Sequence, residues 1–310
     1  MTERLEPLLV ISGLTATGKT AAAIGLAHHF DGELIGADSV QVYRGFDIGS
    51  AKPTKAELRG VPHHLMDVID PDEEIDAAAY AALADRAIRD IGARRRLPII
   101  VGGTGLWIRA LVRGLVDLPP VDPEIRQRLE AAVASQGPAA LHRRLAELDP
   151  ISADAVHPHD SVRIVRALEV YEQTGAPLGS LRARHALGEP RYRTVHIVVD
   201  MDRDQHIAAI ERRTVEMLRA GWVAEVERLR ARWGDEVRPF GSVGYREVLA
   251  HVRDGVPIEE TMRRIRKSTR TYARRQRTWF RGEPGVSWWS HSAELPEPST
   301  LERIAKDLRL

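Results

Sequence analysis

The chain contains no cysteine among its 310 residues. Disulfide bonds and cysteine-ligated zinc sites are therefore excluded. The absence of disulfide bonds is typical of proteins of the cytosol. No apolar run approaches the roughly 20 residues of a membrane-spanning helix, and the amino-terminal sequence MTERLEP lacks the apolar core of a signal peptide. We therefore expect a cytoplasmic protein with no membrane partner.

Net charge is also nearly absent, since 45 lysines and arginines face 44 aspartates and glutamates. The basic residues are nevertheless concentrated in residues 261–281, TMRRIRKSTRTYARRQRTWFR, which include no acidic side chain. A basic helix with interleaved aromatics is typical of polyanion binding through phosphate contacts and base stacking. The alternative is a solvated helix face whose acidic partners lie elsewhere in the chain.

Residues 8–20, LLVISGLTATGKT, combine an apolar strand, a G-x-x-x-x-G-K-T loop and the start of a helix. Such a loop turns backbone N–H groups toward phosphate oxygens, the lysine adds a positive charge, and the last hydroxyl can ligate Mg²⁺. We expect a di- or triphosphate to be bound by Gly13, Thr15, Ala16, Thr17, Gly18, Lys19 and Thr20, with Thr20 as the Mg²⁺ ligand.

Two later segments are predicted to be strands that end close to the phosphate loop. Residues 33–38 and 97–101 have strand character, and they lead into Asp38 and into the glycine-rich residues 102–105. Ligands of open parallel sheets bind beyond the carboxyl ends of the strands. Asp38 could ligate Mg²⁺, act as a general base or cap a turn, and Thr104 could contact a ligand or cap the next helix.

The remaining pattern predicts an α/β fold, a P-loop NTPase-like parallel sheet flanked by helices, with an inserted all-helical domain. Residues 123–192 have helical patterns and no convincing strand, whereas residues 1–122 and 193–310 form the core. Within the core, residues 63–71 are expected to be a strand that closes at a proline. His63 and His64 lack the spacing of a zinc site, so we expect them to be structural. Lys52 is a possible phosphate or RNA contact.

Six segments in this order resemble the tRNA dimethylallyltransferases, also called tRNA isopentenyltransferases. Beside the phosphate loop, in which Leu14 and Thr17 replace a usual proline and serine, the matching segments are DSVQVYRGFDIGSAKP (38–53), PHHLMDVIDP (62–71), VGGTGLW (101–107), HPHDSVRIVRALEV (157–170), FGSVGYRE (240–247) and ARRQRTWFRG (273–282). Ser50 stands where the family commonly has threonine.

The resemblance implies transfer of a dimethylallyl group from dimethylallyl diphosphate to N6 of the adenosine just 3′ of the tRNA anticodon. In the matching positions, Asp38 is the general base, Thr104 contacts the target base, and Arg213 neutralises the departing diphosphate. Lys19, Thr20 and Mg²⁺ share that diphosphate. The helical insertion corresponds to a domain that grips the anticodon stem-loop. Nothing in the pattern requires a dimer, so a monomer is expected.

The resemblance also implies a set of tRNA contacts. They are Asp38, Ser39, Val40, Gln41, Thr104, Arg126, Val162, Arg163, Ile164, Val165, Arg166, Gly241, Ser242, Val243, Gly244, Tyr245, Arg246, Arg274, Arg275, Gln276, Arg277, Thr278, Trp279, Phe280 and Arg281.

Three other functions use parts of the same pattern. A small-molecule or nucleotide kinase would use the phosphate loop but leave the basic run of residues 261–281 unexplained. An adenylate isopentenyltransferase would leave both that run and the helical insertion without a role. A non-catalytic RNA-binding module would leave the phosphate loop and Asp38 without one.

Overall fold

The computed structural model describes residues 5–116, 118–185, 190–290 and 295–310. The chain divides into two compact units, one formed by Met1–Val112 with Pro190–Leu310 and the other by Arg113–Glu189. Among the residues that the structure describes, no helix is long and apolar enough to cross a membrane.

The elements follow in chain order. The strands are β1 (Pro7–Gly13), β2 (Gly32–Ala37), β3 (His63–His64), β4 (Leu97–Gly102), β5 (Arg193–Asp200) and β6 (Val286–Ser290). The helices are α1 (Lys19–His29), α2 (Lys55–Leu58), α3 (Ala77–Ala93), α4 (Gly105–Arg113), α5 (Pro123–Gln136), α6 (Pro138–Leu148), α7 (Pro150–Ala155), α8 (Ser161–Thr174), α9 (Leu178–His185), α10 (Arg203–Arg219), α11 (Trp222–Trp233), α12 (Tyr245–Asp254), α13 (Ile258–Arg281) and α14 (Pro298–Leu308), with a 3-10 turn at Arg238–Gly241.

The larger unit contains one parallel sheet in the order β3-β2-β4-β1-β5-β6. Its central strands are continuously apolar because helices cover both faces. The α1 and α14 helices pack against one face, while α3, α4 and α10–α13 supply the core on the other. Gly102 pairs with both Ser12 and Ala37, so β1, β2 and β4 end at the same edge of the sheet.

Three expectations need correction. Only His63 and His64 of residues 63–71 form a strand, because the chain turns at Leu65 and Asp67, both of which have positive φ. After Gly282 the residue pattern predicts a short strand and then a polar tail, but the strand, β6, is followed by α14, which buries Ile304 and Leu308 against the sheet.

The third correction concerns the smaller unit, which begins at Arg113 rather than at residue 123 and ends at Glu189. The Pro119 carbonyl accepts a hydrogen bond from Arg166 of α8, and Leu118 packs against the same core, so this connecting segment belongs to the smaller unit. Among the described residues of this unit the secondary-structure elements are all helices, with a core of Leu129, Leu141, Leu145, Ile164 and Leu168.

Candidate active site

The glycine-rich loop between β1 and α1 places Lys19 at the first position of the helix. Gly18 precedes it with φ 79°, a left-handed conformation that turns the chain into α1. Ala16 also has a positive φ of 66°, which is a strained conformation for a residue with a side chain. Because the first backbone N–H groups of a helix have no partners within it, this end of α1 is suited to bind an anion.

Thr15 is held in this loop by three side chains from distant helices. Its backbone N–H donates to Gln276 Oε1 at 2.9 Å, and its carbonyl accepts from His206 Nε2 at 2.8 Å. Its hydroxyl accepts from Arg213 Nη2 at 2.6 Å. The Thr15 backbone N–H is therefore unavailable to a phosphate, whereas the hydroxyl can still donate its own hydrogen.

Two cations meet at the loop. Desolvation lowers the pKa of Lys19 from 10.5 to about 8, with Asp38 opposing this shift and Arg213 adding to it. Burial also lowers the pKa of the Arg213 guanidinium, which nevertheless stays charged at neutral pH. The neighbouring Arg212 is mostly exposed and faces Glu216 at 3.8 Å, so the residue that reaches the loop is Arg213.

Asp38 follows β2, and its chain neighbour Ser39 contacts Thr104. The Asp38 Oδ1 accepts hydrogen bonds from the backbone N–H groups of Val40, at 2.9 Å, and Gln41, at 3.2 Å. The Thr104 hydroxyl accepts the Ser39 N–H at 3.1 Å, and the Thr104 N–H donates to the Ala37 carbonyl. The two segments can approach so closely because residue 102 is glycine: a Cβ there would lie 2.1 Å from the Ala37 oxygen.

A cavity of about 290 Å³ joins the loop to Asp38. Its lining includes most of the predicted phosphate ligands together with Asp38, Gln41 and Arg213. Gln41 also donates through Nε2 to the carbonyls of Ser50 and Ala51. Thr20 lines the cavity as well, so its hydroxyl can reach a metal ion beside a bound diphosphate.

Not all predicted phosphate ligands are placed to act through their side chains. Thr17 is fully buried, and its hydroxyl donates to the Leu14 carbonyl at 2.8 Å. Gly13 packs against β5, where a Cβ would lie 2.3 Å from the Val199 oxygen. Both residues shape the loop.

The basic helix predicted for residues 261–281 is α13, and its cations are in different environments. Glu260 binds both Arg263 and Arg264, which offsets part of the positive charge at that end of the helix. Toward the other end, Arg274 is exposed, and Arg275 lies over the Tyr272 ring. Thr278 and Arg281, in the last turn of α13, are also exposed.

Four other members of the predicted RNA-contact segment 274–281 are engaged with protein. Gln276 and Phe280 are buried, and Arg277 donates to Asp200 at 2.7 Å. Trp279 packs over Gly105 and stacks with the guanidinium of Arg109.

In the segment 241–246, Gly241 and Arg246 are exposed, and Ser242 and Val243 are partly so. Gly244 is buried against Trp222. Tyr245 is fully buried and donates its hydroxyl to Glu225 at 2.6 Å, so its side chain is not at a surface.

In the smaller unit the predicted RNA contacts divide in the same way. Val162 and Arg163 are exposed at the start of α8, whereas Ile164 and Val165 lie in the core. The two remaining arginines, Arg126 and Arg166, bind the fully buried carboxylate of Glu169.

Lys52, considered as a phosphate or RNA contact, is instead committed to protein partners. Its ammonium donates to Asp47 at 2.6 Å, to Asp67 at 2.5 Å and to the Tyr43 carbonyl at 3.0 Å. It therefore holds the loop that follows Asp38. His64 likewise binds Glu33 at 2.7 Å, as expected of a structural histidine.

Sequence reasoning missed two residues near the cavity, His206 and Glu225, and gave a third, His63, only a structural role. His206 precedes Arg213 by two helical turns, and this spacing could have placed both on one face of α10. Glu225 is buried and accepts the backbone N–H groups of residues 47–49, but no motif marks it. His63 lines the cavity with neither ring nitrogen hydrogen-bonded within the described chain, and burial lowers its pKa to about 4.

Comparison with known proteins agrees with this geometry. The profile of the family described as IPP transferase matches residues 41–283. A tRNA dimethylallyltransferase of Anaeromyxobacter sp. (strain Fw109-5) is 50% identical over 284 residues, which cover 92% of this chain and 94% of that relative.

Solved structures give the same result. The full-length tRNA isopentenylpyrophosphate transferase of Bacillus halodurans is 37% identical, with a TM-score of 0.71, and the match covers 98% of this chain and 97% of that one. A eukaryotic dimethylallyltransferase acting on tRNA is 26% identical, with a TM-score of 0.77 over 92% of this chain and 74% of that one. The matched family profile spans most of this chain, and the relatives align over nearly all of it. The chain belongs to the IPP transferase family.

Proposed function

We propose that this protein transfers a dimethylallyl group from dimethylallyl diphosphate to N6 of the adenosine 3′-adjacent to the anticodon of tRNA. The observation that carries the proposal is the shared cavity. Its lining includes Lys19 and Arg213, which are suited to bind a diphosphate, beside the more exposed Arg212, and a carboxylate suited to accept a proton, Asp38. Family membership supports the same chemistry.

In the proposed reaction the bond between the allylic carbon and the diphosphate oxygen breaks, and the diphosphate leaves with the electron pair. N6 of adenosine forms the new bond to that carbon, and its proton passes to the Asp38 carboxylate. The anchoring of Oδ1 by two backbone N–H groups fixes the carboxylate for this transfer. Lys19 and Arg213 stabilise the negative charge that develops on the leaving group.

A divalent metal fits the donor atoms around the loop. Among the residues that the structure describes, no three histidine, aspartate or glutamate side chains cluster to hold an ion. The Thr20 hydroxyl lines the cavity, and Mg²⁺ is commonly bound by one or two protein oxygens together with phosphate oxygens and water. When bound, Mg²⁺ would supply further charge neutralisation on the diphosphate. We propose Thr20 as its protein ligand.

The RNA would be bound by the exposed part of α13. Within the described chain, Arg270, Arg274 and Arg281 are exposed and have no acidic partner. Phosphates of an anticodon loop fit such unpaired guanidinium groups, and the target base must leave the loop to enter the cavity. We propose that the smaller unit adds contacts through Val162 and Arg163, and that the protein works in the cytoplasm with its tRNA.

A competition assay tests the proposal. The protein is incubated with Mg²⁺, dimethylallyl diphosphate, AMP and tRNA whose anticodon is followed by adenosines, and the products are analysed by nucleoside mass spectrometry. A prenylated adenosine in tRNA alone is expected. Prenylated AMP with unmodified tRNA would indicate an adenylate isopentenyltransferase. Phosphorylation that requires ATP, without prenyl transfer, would indicate a kinase.

A further inference from the structure

Gln276 connects the loop that follows β1 with the loop that follows β4. It lies on α13 and is 5% exposed. Its Oε1 accepts the backbone N–H of Thr15 at 2.9 Å, and its Nε2 donates to the carbonyl of Gly103 at 3.0 Å. Thr15 belongs to the diphosphate loop after β1, and Gly103 belongs to the loop after β4 that carries Thr104.

The surroundings of Gln276 are built around this bridge. A Cβ at residue 103 would lie 2.3 Å from Gln276 Nε2, so glycine is required for the amide to reach the carbonyl. On the other side, His206 and Arg213 hold the carbonyl and hydroxyl of the same Thr15. Thr15 is thus fixed at all three polar groups, and Gln276 provides the link to the second loop.

Both ends of the Gln276 amide are used within the protein. A buried amide whose oxygen and nitrogen are already bonded to backbone groups gains little by releasing them for RNA, because an unpaired buried N–H or C=O costs free energy. The sequence-based assignment of Gln276 as a tRNA contact is therefore not supported by its surroundings.

We propose that Gln276 is a positioning residue that fixes the distance between the diphosphate loop and the loop carrying Thr104. The inference rests on the proposed function, in which the loop after β1 holds the leaving group, and on the contact of Thr104 with the target base that the family resemblance implies. Displacement of reacting groups by about 1 Å can reduce a rate about 10²-fold even when both substrates remain bound. Gln276 acts through the two loops and touches neither reacting atom.

The amide suits this position better than its closest replacements. Glutamate has the same length and can still accept from Thr15, but it presents an oxygen to the Gly103 carbonyl. Methionine has a similar shape and offers neither a strong donor nor a strong acceptor. Gln276→Met therefore removes both hydrogen bonds, and Gln276→Glu removes one of them.

The test separates positioning from binding. Single-turnover rates are measured with saturating dimethylallyl diphosphate and anticodon stem-loop RNA, and Kd values are measured for inorganic diphosphate and for the RNA alone. We expect Gln276→Met to lower the rate about 10- to 100-fold while both Kd values change less than about threefold. A rate loss that only follows weaker binding, or a wild-type rate, would overturn the proposal.

A matched control lies on the same helix. Thr261 is fully buried, and its hydroxyl donates only to the Pro257 carbonyl one turn earlier. Thr261→Val should leave the single-turnover rate unchanged. If this control lowers the rate as much as Gln276→Met does, general loosening of α13 explains the loss and the positioning role is wrong. If Gln276→Met does not fold, Gln276→Glu is used for the same comparison.

A second readout does not depend on prenyl transfer. Hydrogen-exchange mass spectrometry of peptides that cover residues 13–20 and 102–105 reports the order of the two loops directly. We expect faster exchange in both loops of Gln276→Met and unchanged exchange in Thr261→Val. Unchanged exchange in Gln276→Met would refute the bridge itself. A wild-type protein that transfers no prenyl group would refute the proposed function, whatever the exchange result.

Discussion

Replacing Asp38 by asparagine isolates its proposed role as a base from its role in the loop. The Asp38 Oδ1 accepts two backbone N–H groups, and the amide oxygen of asparagine can accept the same two. The loop geometry is thereby kept, while the NH₂ group takes the position of Oδ2 and has no lone pair for a proton. Asp38→Asn therefore removes the proton acceptor and keeps the hydrogen bonds to the loop.

The expected loss follows from the usual contribution of a general base. Turnover should fall about 10²–10⁴-fold, which corresponds to about 3–5 kcal/mol of transition-state stabilisation. Binding of diphosphate should not weaken, because removing a negative charge near Lys19 and Arg213 reduces repulsion of the anion. Asp38→Ala would add the loss of the loop anchor, which is worth about 1 kcal/mol for each N–H left unpaired.

The assay is single-turnover prenyl transfer at pH 7 with saturating substrates, accompanied by the Kd of inorganic diphosphate. A turnover within threefold of wild type in Asp38→Asn would remove Asp38 from the role of base. An equal loss in turnover and in diphosphate affinity would instead make it part of the binding site.

Three further predictions concern charge. Because desolvation lowers the pKa of Lys19 to about 8, its ammonium is lost as pH rises through that value, and kcat/KM for dimethylallyl diphosphate should fall above about pH 8. Replacing Arg274 and Arg275 together by glutamine should weaken tRNA binding and reduce the slope of log K against log salt by about 0.7–0.9 for each RNA phosphate that these arginines neutralise. Glu33 is buried, and hydrogen bonds from Arg94 lower the pKa of its carboxyl below 4.5. The stability that Glu33 contributes is therefore present above pH 4.5 and is lost as pH falls through its pKa in the folded state. Glu33→Gln should lower the free energy of unfolding at pH 7 by roughly 1–3 kcal/mol, measured by urea denaturation, and should make that free energy less dependent on acid pH.

Each of these has a control within the chain. Lys19→Arg, whose guanidinium does not titrate, should have no decline of kcat/KM near pH 8; persistence of that decline would assign it to another group. Replacement of Arg263 and Arg264, which are both paired with Glu260, should change the salt slope less than replacement of Arg274 and Arg275. Equal slopes would show that the RNA does not distinguish the two ends of α13. For Glu33, unchanged acid stability in Glu33→Gln would contradict the ion-pair account.

The parts of the site that can be predicted from the sequence are those that depend on local sequence patterns. The diphosphate loop is contiguous, so spacing alone identifies it. The neighbourhood of Asp38 and Thr104 follows from a topological rule, because parallel strands end at the same edge of a sheet. The order of those strands then brings residues 65 positions apart into hydrogen-bond contact at Ser39 and Thr104.

Contacts between distant segments are what the sequence leaves undetermined. The two hydrogen bonds of Gln276 span 261 and 173 positions, and the bonds of Glu225 to residues 47–49 span 176–178. No periodicity encodes such pairings. A segment that matches the family motif also does not show which of its side chains are exposed and which are buried. The resemblance therefore includes Tyr245, Ile164 and Val165 among the RNA contacts, although their side chains lie in cores.

The most direct test of the central claim is to locate the transferred group on the RNA. Wild-type protein and Asp38→Asn are incubated with Mg²⁺, dimethylallyl diphosphate and anticodon stem-loop RNA, and ribonuclease fragments are sequenced by mass spectrometry. We expect one dimethylallyl group on N6 of the adenosine that follows the anticodon, formed far more slowly by the variant. Modification at another nucleotide, or equal rates for the two proteins, would contradict it.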